Sequence, residues 1–273
     1  MAFIDSAPDV SIHYEELGEG FPVVFVHGWA MSGRVWAFQG ELAERFRLVM
    51  PDLRGHGKST APETGYAFAD FAADLVALFD RLGIRRGALV GWSLGVQVAL
   101  EAYPALAERL AALVLVGGTP KFTASEEWPF GLPATEARGL ALRLRRGYDR
   151  TMGEFFRGMF AEGELTREAN QRIAHEIVIP RLLPDPRAVA ATLDTLAGGD
   201  HRAMLGEIRT PTLVIHGERD AICPPGAGRF LAERIAGARL ALFEGAGHAP
   251  FLSDPSRFNR LVGEFLGEVP LRD

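Results

Sequence analysis

An α/β fold, with a mostly parallel sheet covered by helices on both faces, is predicted by two observations. Short apolar runs rich in Val and Leu alternate along the chain with longer segments whose apolar residues recur at helical spacing. The short runs show no apolar-polar alternation, which is typical of strands buried on both faces of a parallel sheet. The strand candidates are 46–50, 87–91, 113–116, 212–216 and 240–243.

The N-terminal part departs from this pattern. Two apolar runs, 10–17 and 22–27, flank Gly18-Glu19-Gly20. Closely spaced glycines between two such runs predict a β-hairpin.

Helical periodicity is clearest in three segments. Apolar residues between 71 and 82 recur every three or four positions, and Gly83 is placed to end that helix. A second helix is predicted over 94–103, with Pro104 as its stop. The final helix is indicated by an apolar face between 258 and 266.

One long region, 119–198, has no convincing strand and contains arginine-rich helical segments instead. An insertion of this kind between two strands predicts a helical cap over the carboxyl edge of the sheet, where open α/β sheets bind their ligands. We therefore predict a core domain formed by 1–118 and 199–273, with 119–198 as the cap.

Composition argues against several classes of function. The 273 residues are 48% hydrophobic, enough for a large core, and the formal net charge of -6 includes no basic run typical of nucleic-acid binding. No stretch approaches the roughly 18 apolar residues of a spanning helix, and the N-terminus lacks a signal-peptide pattern. Cys223 is the single cysteine, so no internal disulfide can form, and we expect a soluble, cytoplasmic protein without a membrane partner.

A nucleophile candidate lies at a predicted strand-to-helix junction. The segment Gly91-Trp92-Ser93-Leu94-Gly95 fits the pattern G-x-S-x-G, in which a sharp turn after a buried strand exposes a serine hydroxyl. Ser93 falls at the start of a helix, where free N–H groups favour a developing negative charge. A serine that merely caps the helix is the alternative, but the position directly after a buried strand favours a nucleophile.

Such a serine needs a base, and the base needs an orienting carboxylate. His248 follows the last strand candidate on a glycine-rich loop, and Asp220 follows the strand candidate 212–216. The chain order Ser, Asp, His, with each residue just past a strand, is typical of hydrolases with this turn. Glu218 is the rival acid but lies closer to the strand end. The sequence therefore predicts a catalytic triad of Ser93, Asp220 and His248.

An oxyanion hole requires two backbone N–H donors. Leu94 follows the nucleophile and supplies the first donor, and Trp29, in the loop after 22–27, is the candidate for the second. We expect His27 to brace that loop. The histidines lack zinc-site spacing and there is no thiolate pair, so neither a metal nor a cofactor is predicted.

Taken together, these motifs resemble those of the α/β-hydrolase superfamily over essentially the whole chain. That resemblance implies an α/β-hydrolase fold with an eight-stranded, mostly parallel sheet and an acyl-enzyme intermediate on the serine. The motifs that carry it are His27-Gly28-Trp29, 52–59, Gly-Trp-Ser-Leu-Gly at 91–95, Asp220 and Gly247-His248.

A narrower resemblance is to the pimeloyl-[acyl-carrier protein] methyl ester esterases of biotin synthesis. It rests on the tryptophan of His27-Gly28-Trp29, on 91–95, on 247–251, and on the segments 119–129 and 149–155. The resemblance implies a carboxylesterase whose ester carbonyl meets the N–H groups of Trp29 and Leu94. It also implies that the acyl chain runs beneath the cap and that basic cap residues meet an acidic carrier protein.

The composition of the predicted cap gives modest independent support for a carrier-protein partner and for an acyl pocket. Six arginines stand against two acidic residues within 138–157, in a chain that is acidic overall. Arginines such as Arg146 and Arg150 could steer an acidic carrier towards the site, although a solvated helix face would have the same composition. Phe155 and Met159, four residues apart on an apolar stripe, are pocket candidates, and plain packing is the alternative. The substrate contacts predicted are Trp29, Trp92, Phe155 and Met159.

Other functions are compatible with the same residues. A cofactor-free perhydrolase or a carbon–carbon bond hydrolase would use the same triad, whereas relatives with an aspartate nucleophile are disfavoured by Ser93. A small-ligand receptor of the same fold is the non-enzymatic alternative. Such a receptor would cleave an ester at most a few times.

Overall fold

The computed structural model describes residues 2–178 and 183–270. Residues 179–182 of the predicted cap, together with positions 1 and 271–273, lie outside this range. Within it, eight strands form one sheet in the order β1-β2-β4-β3-β5-β6-β7-β8, parallel from β4 to β8 and antiparallel at β1 and β2. The strands are β1 Ala2–Ala7, β2 Val10–Leu17, β3 Phe21–Val26, β4 Phe46–Pro51, β5 Gly87–Trp92, β6 Leu110–Val116, β7 Thr212–Gly217 and β8 Arg239–Phe243.

Helices connect and cover the strands, as the alternating pattern predicted. The helices are α1 Phe68–Arg81, α2 Leu94–Leu106, α3 Ala134–Arg146, α4 Tyr148–Arg157, α5 Arg167–Ile173, α6 Pro186–Gly198, α7 Pro225–Arg234, α8 Pro250–Ser253 and α9 Pro255–Glu268. Shorter 3-10 segments span Gly33–Glu44, Ala107–Arg109 and Arg202–Glu207, and a π-helical turn spans Ala174–Val178.

The sheet is buried on both faces because successive strand residues point to opposite sides. In β3, Val24 and Val26 join the hydrophobic cluster that contains α1 and α2, whereas Val23 and Phe25 join the cluster on the other face with α9. The other central strands divide in the same way. This two-sided burial explains their continuous apolar sequences and confirms the predicted α/β architecture.

The predicted hairpin between 10–17 and 22–27 is wrong. β4 lies between β2 and β3, pairing antiparallel with β2 and parallel with β3. Glycines at 18 and 20 do turn the chain with positive φ. However, β3 is almost wholly buried, so it needs a partner strand on each edge and takes a central position.

Two further boundaries differ from prediction. α2 continues through Leu106 with Pro104 inside its last turn, where little of the helical hydrogen-bond ladder remains to be broken. β1 was not predicted, because its residues show no clear pattern of apolar and polar positions. Its antiparallel pairing with β2 is what defines it as a strand. The Gly83 stop is confirmed, since this residue takes a φ of +63° just after α1.

Helices α3 to α6 lie between β6 and β7, and the described residues of this stretch contain no strand. The exact division of the chain into core and cap stays a prediction. None of the helices in 2–178 and 183–270 is both long and apolar enough to cross a membrane.

A buried ion pair fixes the loop after β4 to α1. Arg54 donates through Nε and Nη2 to the two carboxylate oxygens of Asp74, both at 2.6 Å, and both side chains are buried. Removing one member of a buried pair leaves an uncompensated charge.

We therefore expect Asp74→Ala to lower the free energy of unfolding by about 3–5 kcal/mol. Urea denaturation followed by circular dichroism measures this change. Asp80→Ala, in the same helix, breaks an exposed pair with Arg109 and should cost less than about 1 kcal/mol. Equal losses in the two variants would contradict the importance of the buried pair.

Candidate active site

Ser93 occupies a strained turn between β5 and α2. Its φ of +55° lies in the left-handed region that residues with a side chain rarely adopt. The turn is tight because neighbouring segments approach closely: a Cβ on Gly91 would overlap the Gly95 carbonyl, and one on Gly95 would overlap that of Val26. The main-chain N–H of Ser93 donates to the Val116 carbonyl at 3.0 Å, which ties the turn to β6.

Asp220 and His248 meet across the ends of β7 and β8. Nδ1 of His248 lies 2.8 Å from Oδ2 of Asp220, and both side chains are buried. The other carboxylate oxygen accepts the N–H groups of Ile222 and Cys223, each at 2.9 Å. Burial opposes ionisation of Asp220, but attraction to His248 and hydrogen bonds from His216 and His248 outweigh it, so its pKa is well below the usual range.

Glu218, the rival acid, is exposed, and its main-chain N–H donates to Phe243 on β8. Of the two acids, Asp220 is the one whose carboxylate lies against His248.

The second ring nitrogen of His248 faces away from Asp220. Nε2 is buried and has no hydrogen-bond partner among the described residues. The ring is held by its main chain: the carbonyl accepts the indole N–H of Trp92 at 2.9 Å, and the N–H donates to the Met159 carbonyl at 2.7 Å. The indole of Trp92, the residue before Ser93, also packs against the His248 ring, with ring centroids 5.4 Å apart.

The loop that follows β3 lies against Ser93. A Cβ on Gly28 would be 2.9 Å from the Trp92 ring and 3.1 Å from the Cβ of Ser93, so a larger residue would have to push this loop or its neighbours apart. The next residues are Trp29 and Ala30, and Ala30 has a φ of +58°. Trp29 directly follows the glycine that approaches Ser93, and Leu94 is the first residue of α2. Their roles as oxyanion donors stay a prediction.

His27 braces this loop. The N–H of Leu53 donates to its Nε2 at 2.9 Å, so Nδ1 carries the proton and donates to the Gly28 carbonyl at 2.7 Å. Burial lowers the pKa of His27 to about 4 and, with the neighbouring His27, lowers that of His56 to about 3. Both imidazoles therefore stay neutral near pH 7.

The four predicted substrate contacts occupy different positions. Trp92 is 1% exposed and packs beneath His248, and Met159 is equally buried and meets the histidine loop through its carbonyl. Direct contact of either residue with a substrate stays a prediction. Trp29 and Phe155 form an edge-to-face pair, with ring centroids 4.8 Å apart, that joins the core loop to the cap.

Phe155 also lines a cavity of about 250 Å³ between the cap and the loop after Asp220. Its walls combine apolar side chains with charged groups of α3 and α4. The residues around it are Phe122, Leu132, Glu136, Leu140, Arg143, Thr151, Glu154, Phe155, Ala221 and Ile222.

Sequence reasoning missed two polar contacts, one to Asp220 and one to the residue before His248. Nε2 of His216, at the end of β7, lies 3.4 Å from Asp220 and 2.7 Å from the Cys223 carbonyl. Its position four residues before Asp220 was the available signal. Glu164 accepts the N–H of Gly247, and no sequence pattern marks it. Within the described ranges, no group of three His, Cys, Asp or Glu side chains is arranged to hold a metal ion.

This combination of sheet, strained serine and histidine–aspartate pair defines a class of protein. The chain belongs to the alpha/beta hydrolase fold family, whose model matches residues 22–255. The pimeloyl-[acyl-carrier protein] methyl ester esterase of Nitrosomonas europaea is 36% identical over 249 residues, covering 91% of this chain and 96% of that protein. The resemblance inferred from the motifs is thereby confirmed.

Solved structures agree on the fold. An esterase from Exiguobacterium antarcticum superposes with a TM-score of 0.90 at 29% identity, covering 97% of this chain and 99% of that one. A bromoperoxidase from Bacillus anthracis gives a TM-score of 0.89 at 28% identity, with coverage of 98% and 99%.

The buried neutral histidines predict a pH-dependent stability. Unfolded histidine binds a proton near pH 6.5, whereas folded His27 does so only near pH 4. The free energy of unfolding should therefore fall as the pH drops from about 6.5 towards 4. His27 alone should account for about 2 kcal/mol between pH 7 and pH 5.

Urea unfolding at the two pH values measures this effect. His27→Gln should lose that share of the pH dependence, while the control His175→Gln, at an exposed position, should keep it. Full pH dependence in the His27 variant would contradict the assignment.

Proposed function

We propose that this protein is a carboxylesterase that hydrolyses a carboxylic ester through Ser93, His248 and Asp220. The observation that carries the proposal is the free, buried Nε2 of His248, whose ring is held on the Asp220 carboxylate and packs against Trp92, the residue before a serine in a strained strand-to-helix turn. A base oriented from one nitrogen, with the other nitrogen open towards a nucleophile, is the arrangement required for acyl transfer.

In the proposed reaction, Ser93 Oγ attacks the ester carbonyl carbon while His248 Nε2 takes its proton. The N–H groups of Trp29 and Leu94 stabilise the oxyanion of the tetrahedral intermediate. His248 then returns the proton to the departing alcohol, leaving an acyl group on Ser93. A water molecule, deprotonated by the same nitrogen, attacks that acyl group and releases the acid. Asp220 stays ionised and stabilises the imidazolium, which its lowered pKa supports.

The acyl group is proposed to lie under the cap, against Trp29 and Phe155. These rings form the contact between the oxyanion loop and α4, and Phe155 continues into the cavity beside Ala221 and Ile222. The cavity has both apolar and charged walls. Such a lining suits a linear chain with polar groups along it better than a bulky apolar ester.

For the physiological substrate we propose the methyl ester of a pimeloyl group carried by an acyl-carrier protein. The name of the Nitrosomonas europaea relative supports this class of substrate. The charge of the cap is compatible with it, because α3 ends in Arg143, Arg145 and Arg146, all exposed. Arg150 is 86% exposed but already pairs with Glu154 at 2.8 Å, so the carrier would compete with that carboxylate.

Perhydrolysis is the second candidate, favoured by the similarity to the bromoperoxidase. In that reaction hydrogen peroxide would replace water as acceptor of the acyl group. Assays with acetate and peroxide, run beside ester hydrolysis, distinguish the two activities.

Loss of the nucleophile should abolish activity. Ser93→Ala is expected to remove essentially all hydrolysis of p-nitrophenyl esters while the circular dichroism spectrum is unchanged. A fluorophosphonate should label the wild-type protein at Ser93 alone, as measured by peptide mass spectrometry. Labelling at another residue would exclude this mechanism.

His248→Ala and Asp220→Asn should each lower kcat by roughly 10⁴-fold, because the three residues act as a unit. Glu218→Gln serves as the matched control and should retain nearly full kcat. A Glu218 variant as inactive as that of Asp220 would show that the wrong carboxylate has been assigned.

Carrier docking should depend on cap charge. Reversal of Arg146 and Arg150 to Glu is expected to reduce kcat/KM roughly tenfold or more for a carrier-linked methyl ester, and little for a small free ester. Added salt should reduce the carrier-dependent rate, since the Debye length is about 8 Å at 0.15 M.

The control is the reversal of Arg81 and Arg85, which are exposed at the end of α1 and just beyond it. This variant should behave as wild type. Equal losses for both substrates in the cap variant would indicate a damaged cap, and no loss would remove the carrier from the proposal.

A further inference from the structure

One short part of the cap contacts both loops that carry the proposed acid and base. Residues 159–164, here called the clamp segment, connect α4 to α5. The N–H of His248 donates to the carbonyl of Met159 at 2.7 Å. Nη1 of Arg219, the neighbour of Asp220, donates to the carbonyl of Glu162 at 3.0 Å. The clamp segment is thus hydrogen-bonded to the loops after β7 and β8.

The third contact is made by a side chain. Oε2 of Glu164 accepts the N–H of Gly247, the residue before His248, at 2.8 Å. The same oxygen accepts the N–H of Ala161 at 2.6 Å, and the N–H of Glu164 donates back to the Ala161 carbonyl at 3.1 Å. Gly163 has a φ of +76°, and together with these bonds it closes a tight turn over 161–164. The turn holds the Glu164 carboxylate in the position from which it accepts the Gly247 N–H.

Gly247 is enclosed from two sides, so its position is sensitive to this contact. A Cβ there would lie 2.5 Å from the Met159 carbonyl and 3.0 Å from Glu164 Oε2. On the opposite side, a Cβ on Gly217 would overlap the Gly247 carbonyl. Oε2 of Glu164 is the acceptor of the Gly247 N–H and holds this peptide against the clamp segment. A donor at such an enclosed position is costly to leave without an acceptor.

We propose that Glu164 is a positioning residue for the base, acting through the Gly247 peptide on the imidazole of His248. The inference rests on the proposed function of His248. When the carboxylate is removed, the Gly247 N–H loses its acceptor, and the loop can relax away from Ser93. Displacement of a catalytic group by about 1 Å is enough to lower a rate roughly 100-fold. Substrate binding would be little affected, because Glu164 lies outside the cavity lined by Phe155.

The test is a set of substitutions assayed with a p-nitrophenyl ester. Glu164→Ala should lower kcat by roughly 10- to 100-fold with KM changed less than about twofold. Glu164→Gln keeps an acceptor oxygen at the same reach and should recover kcat to within about fivefold of wild type. Glu164→Asp keeps the charge but withdraws the oxygen by one methylene, and should be slower than the Gln variant.

Two further measurements separate positioning from general damage. The rate of Ser93 labelling by a fluorophosphonate should fall in parallel with kcat, since it needs the base but not the substrate pocket. Glu162→Ala removes an exposed carboxylate from the same segment and should leave both rates unchanged. The Gln and Asp variants decide the question even where the Ala variant is unstable.

Wild-type kcat in both the Ala and Asp variants would overturn the proposal, as would a change confined to KM. An Asp variant faster than the Gln variant would also overturn it, because charge rather than reach would then matter. Failure of the proposed function looks different, because Ser93→Ala would then retain hydrolysis whatever Glu164 does.

Discussion

The rest of the structure depends on the hydrogen bond between Asp220 and His248, which requires two distant loops to meet in a buried position. A buried carboxylate that stays ionised needs partners for both oxygens, and here they come from the His248 ring and two N–H groups of its own loop. The two residues are 28 positions apart, so the bond can form only if β7 and β8 end side by side. The parallel sheet provides this, since the carboxyl ends of neighbouring strands meet at one edge.

Backbone segments approach one another closely around this hydrogen bond, because the loops that carry Asp220 and His248 must meet. Gly117, after β6, lies where a Cβ would stand 2.7 Å from the His248 carbonyl, and Gly217 is packed equally tightly against the histidine loop. Glycine at the ends of these strands is thus required by space, and at Gly117 also by its φ of +49°. The strained φ of Ser93 belongs to the same set of close approaches, and the surrounding sheet stabilises it.

Local sequence patterns were sufficient for the fold and for the pairing of Asp220 with His248. Strand order failed at the N-terminus because the choice between a hairpin and a central β3 depends on partners that are distant in sequence. Trp92 and Met159 were expected to face a substrate, since aromatic and flexible apolar residues suit pockets, and that role stays a prediction. What the sequence did not indicate is that the Trp92 indole and the Met159 carbonyl each hydrogen-bond the main chain of His248. Periodicity gives the face of a helix or strand, but it cannot say which element will cover that face.

The cap is joined to the core by hydrogen bonds as well as by packing. The indole N–H of Trp29 donates to the carbonyl of Val189 on α6 at 3.0 Å, so the loop after β3 is tied to this helix. This bond has a consequence for protein engineering by cap exchange between relatives. A foreign helix placed there without a carbonyl in reach would leave a buried indole unsatisfied and release the loop beside Ser93. Designers of chimeric hydrolases from this scaffold should therefore match the main-chain path of α6 before they choose side chains for a new specificity.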